Sequence, residues 1–245
     1  MPLFHRARTR SKPWYEKDHG TLLEHERAVV AASYPSLEFA RNEGTGRMRL
    51  LGQIVLVADC GVETRIAVRL EFPRNYPQAE PKAYDDAKRF PWENDRHILP
   101  SGQFCLWLPP RSPWDANDPL RLQRFLDEVA VFLERQLVYE ATGGHEWPGQ
   151  QYSHGVHGYE EFMLSMLDGD AEALRRLLPI LRGDTILGRN DLCSCGSGRK
   201  YKRCHLNTVE EITGRIGKEH LNWLYRRKKP PARVEAQQSE EVVHG

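Results

Sequence analysis

An α+β domain followed by a small metal-binding module is the fold this 245-residue sequence predicts. Three observations predict it: alternating strand patterns crowded between residues 36 and 86, helical periods on both sides of them, and cysteines that gather near one end of the chain. The length allows one main domain and one accessory unit. A hydrophobic fraction of 40%, a charged fraction of 28% and a formal net charge of +1 are an ordinary balance, with no global field drawing the chain to nucleic acid or membrane. No apolar run reaches the roughly 20 residues that span a bilayer. The opening "MPLFHRARTRSKPWYEK" lacks an apolar stretch with a small-residue cleavage site. The expectation is a cytoplasmic protein with no membrane partner.

The elements follow in order. "GTLLEHERAVVAAS", Gly20 to Ser33, spaces Leu22, Leu23, Val29 and Val30 as one helix face that stops near Pro35. Strands are expected at Ser36 to Arg41, Arg47 to Leu56 and Thr64 to Phe72, separated by the turn compositions "NEGTG" and "ADCGVE". In the third, Ile66, Val68, Leu70 and Phe72 alternate with Arg65, Ala67, Arg69 and Glu71, so one face is buried and the other mostly wet. "PKAYDD" gives a short fourth strand. The region from Ala87 to Pro119 has no sustained period, but its Phe90, Trp92, Phe104, Trp107 and Trp114 argue for an ordered, functional loop. "PLRLQRFLDEVAVFLERQL" restores a helical period through Leu122, Phe125, Leu126, Val129, Leu133 and Leu137. Helices follow at "YEEFMLSML" and at "GDAEALRRLLPILRG", the latter capped by Asp170, and one final helix is expected over Thr208 to Arg227. The resulting organisation is an N-terminal extension over 1–19, a main domain over 20–165, a helical linker over 166–186, a zinc module with its helix over 187–226 and a disordered tail over 227–245.

Cysteine usage points to chemistry. Cys193, Cys195 and Cys204 crowd one patch while Cys60 and Cys105 stand alone, a pattern of metal and thiol chemistry in a reducing compartment rather than of a disulfide framework. "CSCGSGRKYKRCH" sets Cys193 and Cys195 one residue apart and Cys204 beside His205. Three thiolates and an imidazole on a tight turn suit tetrahedral Zn2+, and a closed four-ligand site is structural, with no open position for water. Cys60, at a turn, reads as structural. The basic residues Arg199, Lys200, Lys202 and Arg203, with 226–229 further on, read first as a solvated face and only second as a contact for nucleic acid.

The order helix, four-strand meander, "FPRNYP", cysteine loop and helices resembles the ubiquitin-conjugating enzyme (UBC) fold. "LEFPRNYPQAEPKAY" is similar to that family's third strand, Tyr-Pro turn (Tyr76, Pro77) and fourth strand. "ILPSGQFCLWL" is similar to the segment carrying its thioester cysteine, which falls on Cys105, and Trp114 resembles the tryptophan that follows. The likeness covers roughly Gly20 to Phe162. Where the family has an asparagine credited with supporting the oxyanion, this chain has His97, whose N–H could donate to the same charge. His145, with Glu146, His154 and His157 in "ATGGHEWPGQQYSHGVHG", falls where the family brings residues back over its active site. The resemblance therefore implies Cys105 as acyl carrier with His97 and His145 as supporting catalytic residues.

The cysteine patch resembles the SEC-C motif, in which Cys193, Cys195, Cys204 and His205 would be the structural zinc ligands. The combination implies a prokaryotic homologue of the kind associated with antiphage defence in cyclic-oligonucleotide signalling (CBASS-type) operons. Its implied protein partner offers a C-terminal glycine, as a cGAS-like nucleotidyltransferase would, with or without a separate activating enzyme. Two other readings stand beside this one: an inactive binding module, and a zinc-module adaptor docking a protein or RNA.

Overall fold

The computed structural model describes residues 12–58, 61–145, 147–149, 153 and 155–226. Cys60, Glu146, His154 and the stretch 227–245 lie outside the described residues. The described residues fall into two compact units, the first ending within 112–149 and interrupted at 109–111, the second made of 109–111 with the described residues from 153 to 226.

In the first unit, helix α1 (Thr21–Ser33) is followed by strands β1 (Leu37–Arg41), β2 (Met48–Val57), β3 (Glu63–Glu71) and β4 (Lys82–Asp85), and then by the long helix α2 (Arg121–Ala141). The four strands form one antiparallel sheet in sequence order, with Leu50 opposite Leu70 and Leu70 opposite Ala83. This is the α+β meander that the alternation predicts. Ile66, Val68 and Leu70 of β3 are buried together with Met48, Leu50, Ile54 and Leu56 of β2. The buried face of α2, through Leu122, Phe125, Leu126, Val129 and Leu133, belongs to the same core. Burial of such side chains stabilises by about 1.5–3 kcal/mol each, and the period-2 and period-3.6 patterns meet in one layer. A buried Glu26 of α1 accepts hydrogen bonds from Arg121 of α2 and from the Tyr76 hydroxyl, tying both helices to the Tyr-Pro turn.

One residue of the expected N-terminal extension is a core residue. Trp14, 2% exposed, begins a 3-10 turn (Trp14–Gly20) and packs against Phe72 and Tyr76 at ring-centroid distances of 5.3 and 4.6 Å. A lone tryptophan has no period, so pattern reading does not detect it.

The second unit holds α3 (Val156–Ser165), α4 (Ala171–Leu181), α5 (Leu206–Ile216) and α6 (Lys218–Arg226). Asp170 caps α4, its carboxylate accepting from Ala173 N at 2.8 Å. Leu174, Leu177 and Leu181 of α4 are buried, as are Leu206, Val209 and Ile212 of α5, and α4 packs on α5. The helix read as a linker thus shares a compact unit with the cysteine patch. The single closing helix expected over Thr208 to Arg227 is instead two, α5 and α6. Gly217 between them sits at φ 82°, a left-handed conformation that interrupts the helix and favours glycine. No helix among the described residues is long and apolar enough to cross a membrane.

Candidate functional site: the cysteine loop and the Cys3His cluster

The loop after β4 is ordered by one buried carboxylate. Asp85, 2% exposed at the end of β4, accepts hydrogen bonds from Arg89 N (3.0 Å), Phe90 N (3.0 Å) and Trp92 Nε1 (3.3 Å). Its own amide donates to Gly102 O at 2.9 Å, and Phe104 N donates to Ala83 O at 2.9 Å, so the loop returns to the sheet edge just before Cys105. Gly102 is at φ 80°, and a Cβ there would lie 2.7 Å from the Trp92 ring. Only glycine fits that approach. Replacing Asp85 by alanine is expected to orphan three donors, to cost about 1.5–3 kcal/mol, and to speed modification of Cys105; chemical denaturation with peptide-resolved alkylation checks both.

Cys105 is half-buried between Phe104 and the partly buried Leu106 and Trp107. Burial pushes its thiol above the ordinary range. The tryptophans of the loop are held from outside: Trp107 Nε1 donates to Glu80 Oε1 at 3.1 Å, and Trp114 Nε1 donates to Pro77 O at 2.9 Å. The Tyr-Pro turn and the cysteine loop are therefore one hydrogen-bonded assembly.

His97 meets Cys105 through the backbone. Cys105 N donates to His97 O at 2.8 Å, while the His97 ring lies 5.0 Å from the Trp147 ring, which is buried against Phe132 and Tyr139. With its own amide engaged, Cys105 does not offer that N–H to an oxyanion. His97 also occupies the left-handed region at φ 54°, where asparagine, aspartate and histidine are the enriched non-glycine residues. That conformation accounts for the residue type without any catalytic role. His145 is exposed, beyond the end of α2 and with its ring against Gly143; Trp147, two residues on, is what carries this segment to His97. His157, on α3, is exposed and lies 3.7 Å from Glu160. The structure thus brings His97 to Cys105 and places His145 near neither by any contact it records among the described residues. Asp85, Glu80 and Trp147 are the supporting residues that sequence reading missed. Asp85 was hidden as a polar strand end, although "DD" before an aromatic loop is a turn-forming signal.

In the second unit, the ligand atoms of Cys193, Cys195, Cys204 and His205 lie within 4.8 Å of one another. His205 Nδ1 is 3.4 Å from both Cys193 Sγ and Cys204 Sγ, and Cys195 Sγ is 3.6 Å from Cys204 Sγ. A tetrahedral site with metal–sulfur bonds of about 2.3 Å has edges of about 3.8 Å, so the donor set is already close to the shape that a divalent cation needs. The first two cysteines come from a hairpin closed by Cys193 N donating to Arg199 O at 2.8 Å, and the last two ligands immediately precede α5. Ser197 Oγ lies 3.2 Å from Cys195 Sγ and 3.3 Å from Cys204 Sγ, where its O–H can donate to a thiolate. As free thiols, Cys193 and Cys195 are shifted in opposite directions. Burial pushes Cys193 up to about 11, whereas for Cys195 hydrogen bonds with Ser197 and the neighbouring thiols outweigh the burial penalty and hold it at about 6.

Residues 189–207 match the SEC-C motif. The chain is also similar to protein translocase subunit SecA of Chloroflexus aurantiacus, 40% identical over 93 residues, which is 36% of this chain and 9% of that protein. SecA of Oleidesulfovibrio alaskensis is 34% identical over 131 residues, 54% of this chain and 13% of that protein. The chain therefore spans only 9% and 13% of the length of these curated relatives. Among solved structures it is similar to the yeast Vps23 UEV domain in complex with a Vps27 PSDP peptide, with TM-score 0.36 and 16% identity, covering 56% of this chain and 86% of that one. A complex of the Vps23 UEV with ubiquitin aligns at TM-score 0.33 and 17% identity, covering 54% of this chain and 87% of that one.

Proposed function

We propose that the first unit is an acyl carrier of the ubiquitin-conjugating type, with Cys105 as the thioester residue, and that the second unit is a SEC-C module held by structural Zn2+. One observation carries the reading: Cys105 is a half-buried thiol at the end of a loop pinned by Asp85, Glu80 and the His97 carbonyl.

In the proposed reaction, the Cys105 sulfur attacks the carbonyl carbon at the C-terminal glycine of a donor protein already activated as a thioester or acyl adenylate. The new C–S bond forms as the first thiolate or AMP leaves. A lysine amine then attacks the same carbon, the C–N bond forms, the Cys105 thiolate departs and the amine loses its proton. A cGAS-like nucleotidyltransferase as donor, an activating enzyme and a role in antiphage defence belong to this proposal through the UBC-type resemblance. The cytoplasm is the compartment it requires. Zn2+ in the Cys3His site would supply cross-linking alone, since four protein ligands fill a tetrahedron.

His97 separates chemistry from conformation. On the proposal His97→Gly keeps the left-handed backbone and loses the ring, and His97→Asn keeps both the backbone and a donor. Transfer by His97→Gly is expected to fall by about 100-fold, with His97→Asn close to wild type and both variants equally stable. Single-turnover transfer from a preloaded Cys105 thioester reads the difference, and equal rates for all three would assign His97 a purely conformational role.

A second reading is favoured by a specific observation. The Cys105 thiol is raised, not lowered, as it would be in a protein-binding module where the cysteine is only a packed residue. The two readings part on whether Cys105 becomes acylated.

A further inference from the structure

The cysteine loop leaves the first unit for three residues. Pro109–Arg111, a single 3-10 turn four positions beyond Cys105, belongs to the second unit, and the chain is back in the first at Ser112. The turn is held at two points. Pro110 is buried, its carbonyl accepts from Arg215 Nη1 of α5 at 3.2 Å, and α5 packs against the turn. Arg111 Nη2 donates at 2.8 Å to Oγ of Ser165, the last residue of α3, and its guanidinium lies 5.6 Å from the ring centroid of Phe162, which is 2% exposed.

The partners are themselves fixed. Ser165 Oγ donates to Phe162 O at 2.7 Å, and Arg215 Nη2 is paired with Glu211, one helical turn earlier, at 2.9 Å.

The turn also has little slack. Two successive prolines lock φ and bring no N–H, so Pro110 enters a packed surface with only its carbonyl to satisfy, and Arg215 satisfies it. Within the first unit, Glu80 takes the chain just before and just after the turn: Trp107 Nε1 donates to one carboxylate oxygen and Ser112 Oγ to the other. A stiff turn gripped at its middle and at both flanks passes displacement to those flanks instead of absorbing it. On the nearer side the Cα of Cys105 is at most about 14 Å along the chain from that of Pro109.

We propose that Arg111 and Arg215 are positioning residues for Cys105, which keep the cysteine loop closed around its thiol by holding Pro109–Arg111 on α3 and α5. For acyl transfer this rests on the thioester reading, whose thiol the two arginines would present. The reactivity of that thiol tests the positioning whether or not Cys105 carries an acyl group.

The measurement is peptide-resolved alkylation of Cys105 by iodoacetamide in the full-length protein at constant pH. Opening of the loop exposes the thiol, so Arg111→Ala and Arg215→Ala should each react about fivefold faster than wild type, and the double variant about tenfold faster or more. Arg111→Lys keeps a cation for Phe162 and a donor for Ser165, and should return to within about twofold of wild type. Arg175→Ala, on the exposed side of α4, should react like wild type. Arg111 and Arg215 are both exposed, so amide protection in α4 should be unchanged; were the double variant to lose it, the Arg111→Ala and Arg111→Lys pair decides. A wild-type rate in the double variant with α4 protected, or Arg111→Lys as fast as Arg111→Ala, would overturn the assignment. The expected order of rates in a protein that never acquires an acyl adduct would uphold the positioning and remove the acyl-carrier reading alone.

Discussion

On the proposal that Zn2+ fills the 193–205 site, chelating it is expected to melt the second unit while the first stays folded. The four donors link a short hairpin to the start of α5, and few large apolar side chains lie within the hairpin itself. Cys193 and Tyr201 are its buried residues, with Leu206 just beyond. In such a segment the metal substitutes for a core, and structural Zn2+ contributes about 10–16 kcal/mol in isolated zinc-finger peptides. Loss of a ligand should therefore exceed any single packing defect in this unit. Cys204→Ala and treatment with a strong chelator should give the same result: amide protection lost through α4 and α5, with protection in β2 and β3 unchanged. Zn2+ at that site would hold its ligands deprotonated, so its stabilisation would be full at neutral pH and lost as pH falls and protons compete for three sulfurs and an imidazole. Retention of α5 protection after complete metal removal, confirmed by elemental analysis, would show the hairpin to be self-sufficient.

Cys105 is expected to react slowly with iodoacetamide at neutral pH, with a rate that climbs about tenfold per pH unit up to its raised pKa. The thiolate is the reactive form, an ordinary cysteine is only a few per cent thiolate at pH 7, and burial holds Cys105 below that fraction. The consequence for acyl transfer is specific. A thiol of high pKa is a poorer leaving group and, once ionised, a stronger nucleophile. It forms a thioester only when an activated donor is delivered to it, and then releases the acyl group reluctantly to water. Peptide-resolved mass spectrometry between pH 6.5 and 9 checks the profile, separating Cys105 from the thiols of the Cys3His cluster. A rate that is already maximal at pH 7 would mean an activated nucleophile and a different mechanism.

What the sequence made legible was local and periodic. The four strands could be read because Ile66, Val68 and Leu70 alternate with partly exposed neighbours, and α2 because its apolar residues recur every three to four positions through six buried side chains. The Cys3His cluster was legible because its four residues crowd one short stretch. What escaped was made of single residues acting at a distance. Trp14 enters the core from a segment with no pattern. Asp85 looks like the polar end of a strand until three donors converge on it, and Trp147 reaches His97 only through the fold. His97 itself shows why a motif position does not assign a role: the left-handed backbone demands a residue of its kind, whatever the ring then does.

The most direct test of Cys105 as acyl carrier is intact mass and non-reducing electrophoresis of the protein expressed with its genomic neighbours, for wild type and for Cys105→Ala, Cys105→Ser and Cys105→Lys. Acyl carriage predicts a thiol-sensitive adduct on wild type, its absence from Cys105→Ala, and thiol-resistant ester and amide adducts on the serine and lysine variants, with the mass identifying the donor. The same adducts on wild type and Cys105→Ala, or none on any form with all neighbours present, would contradict it and leave the fold as a protein-binding module.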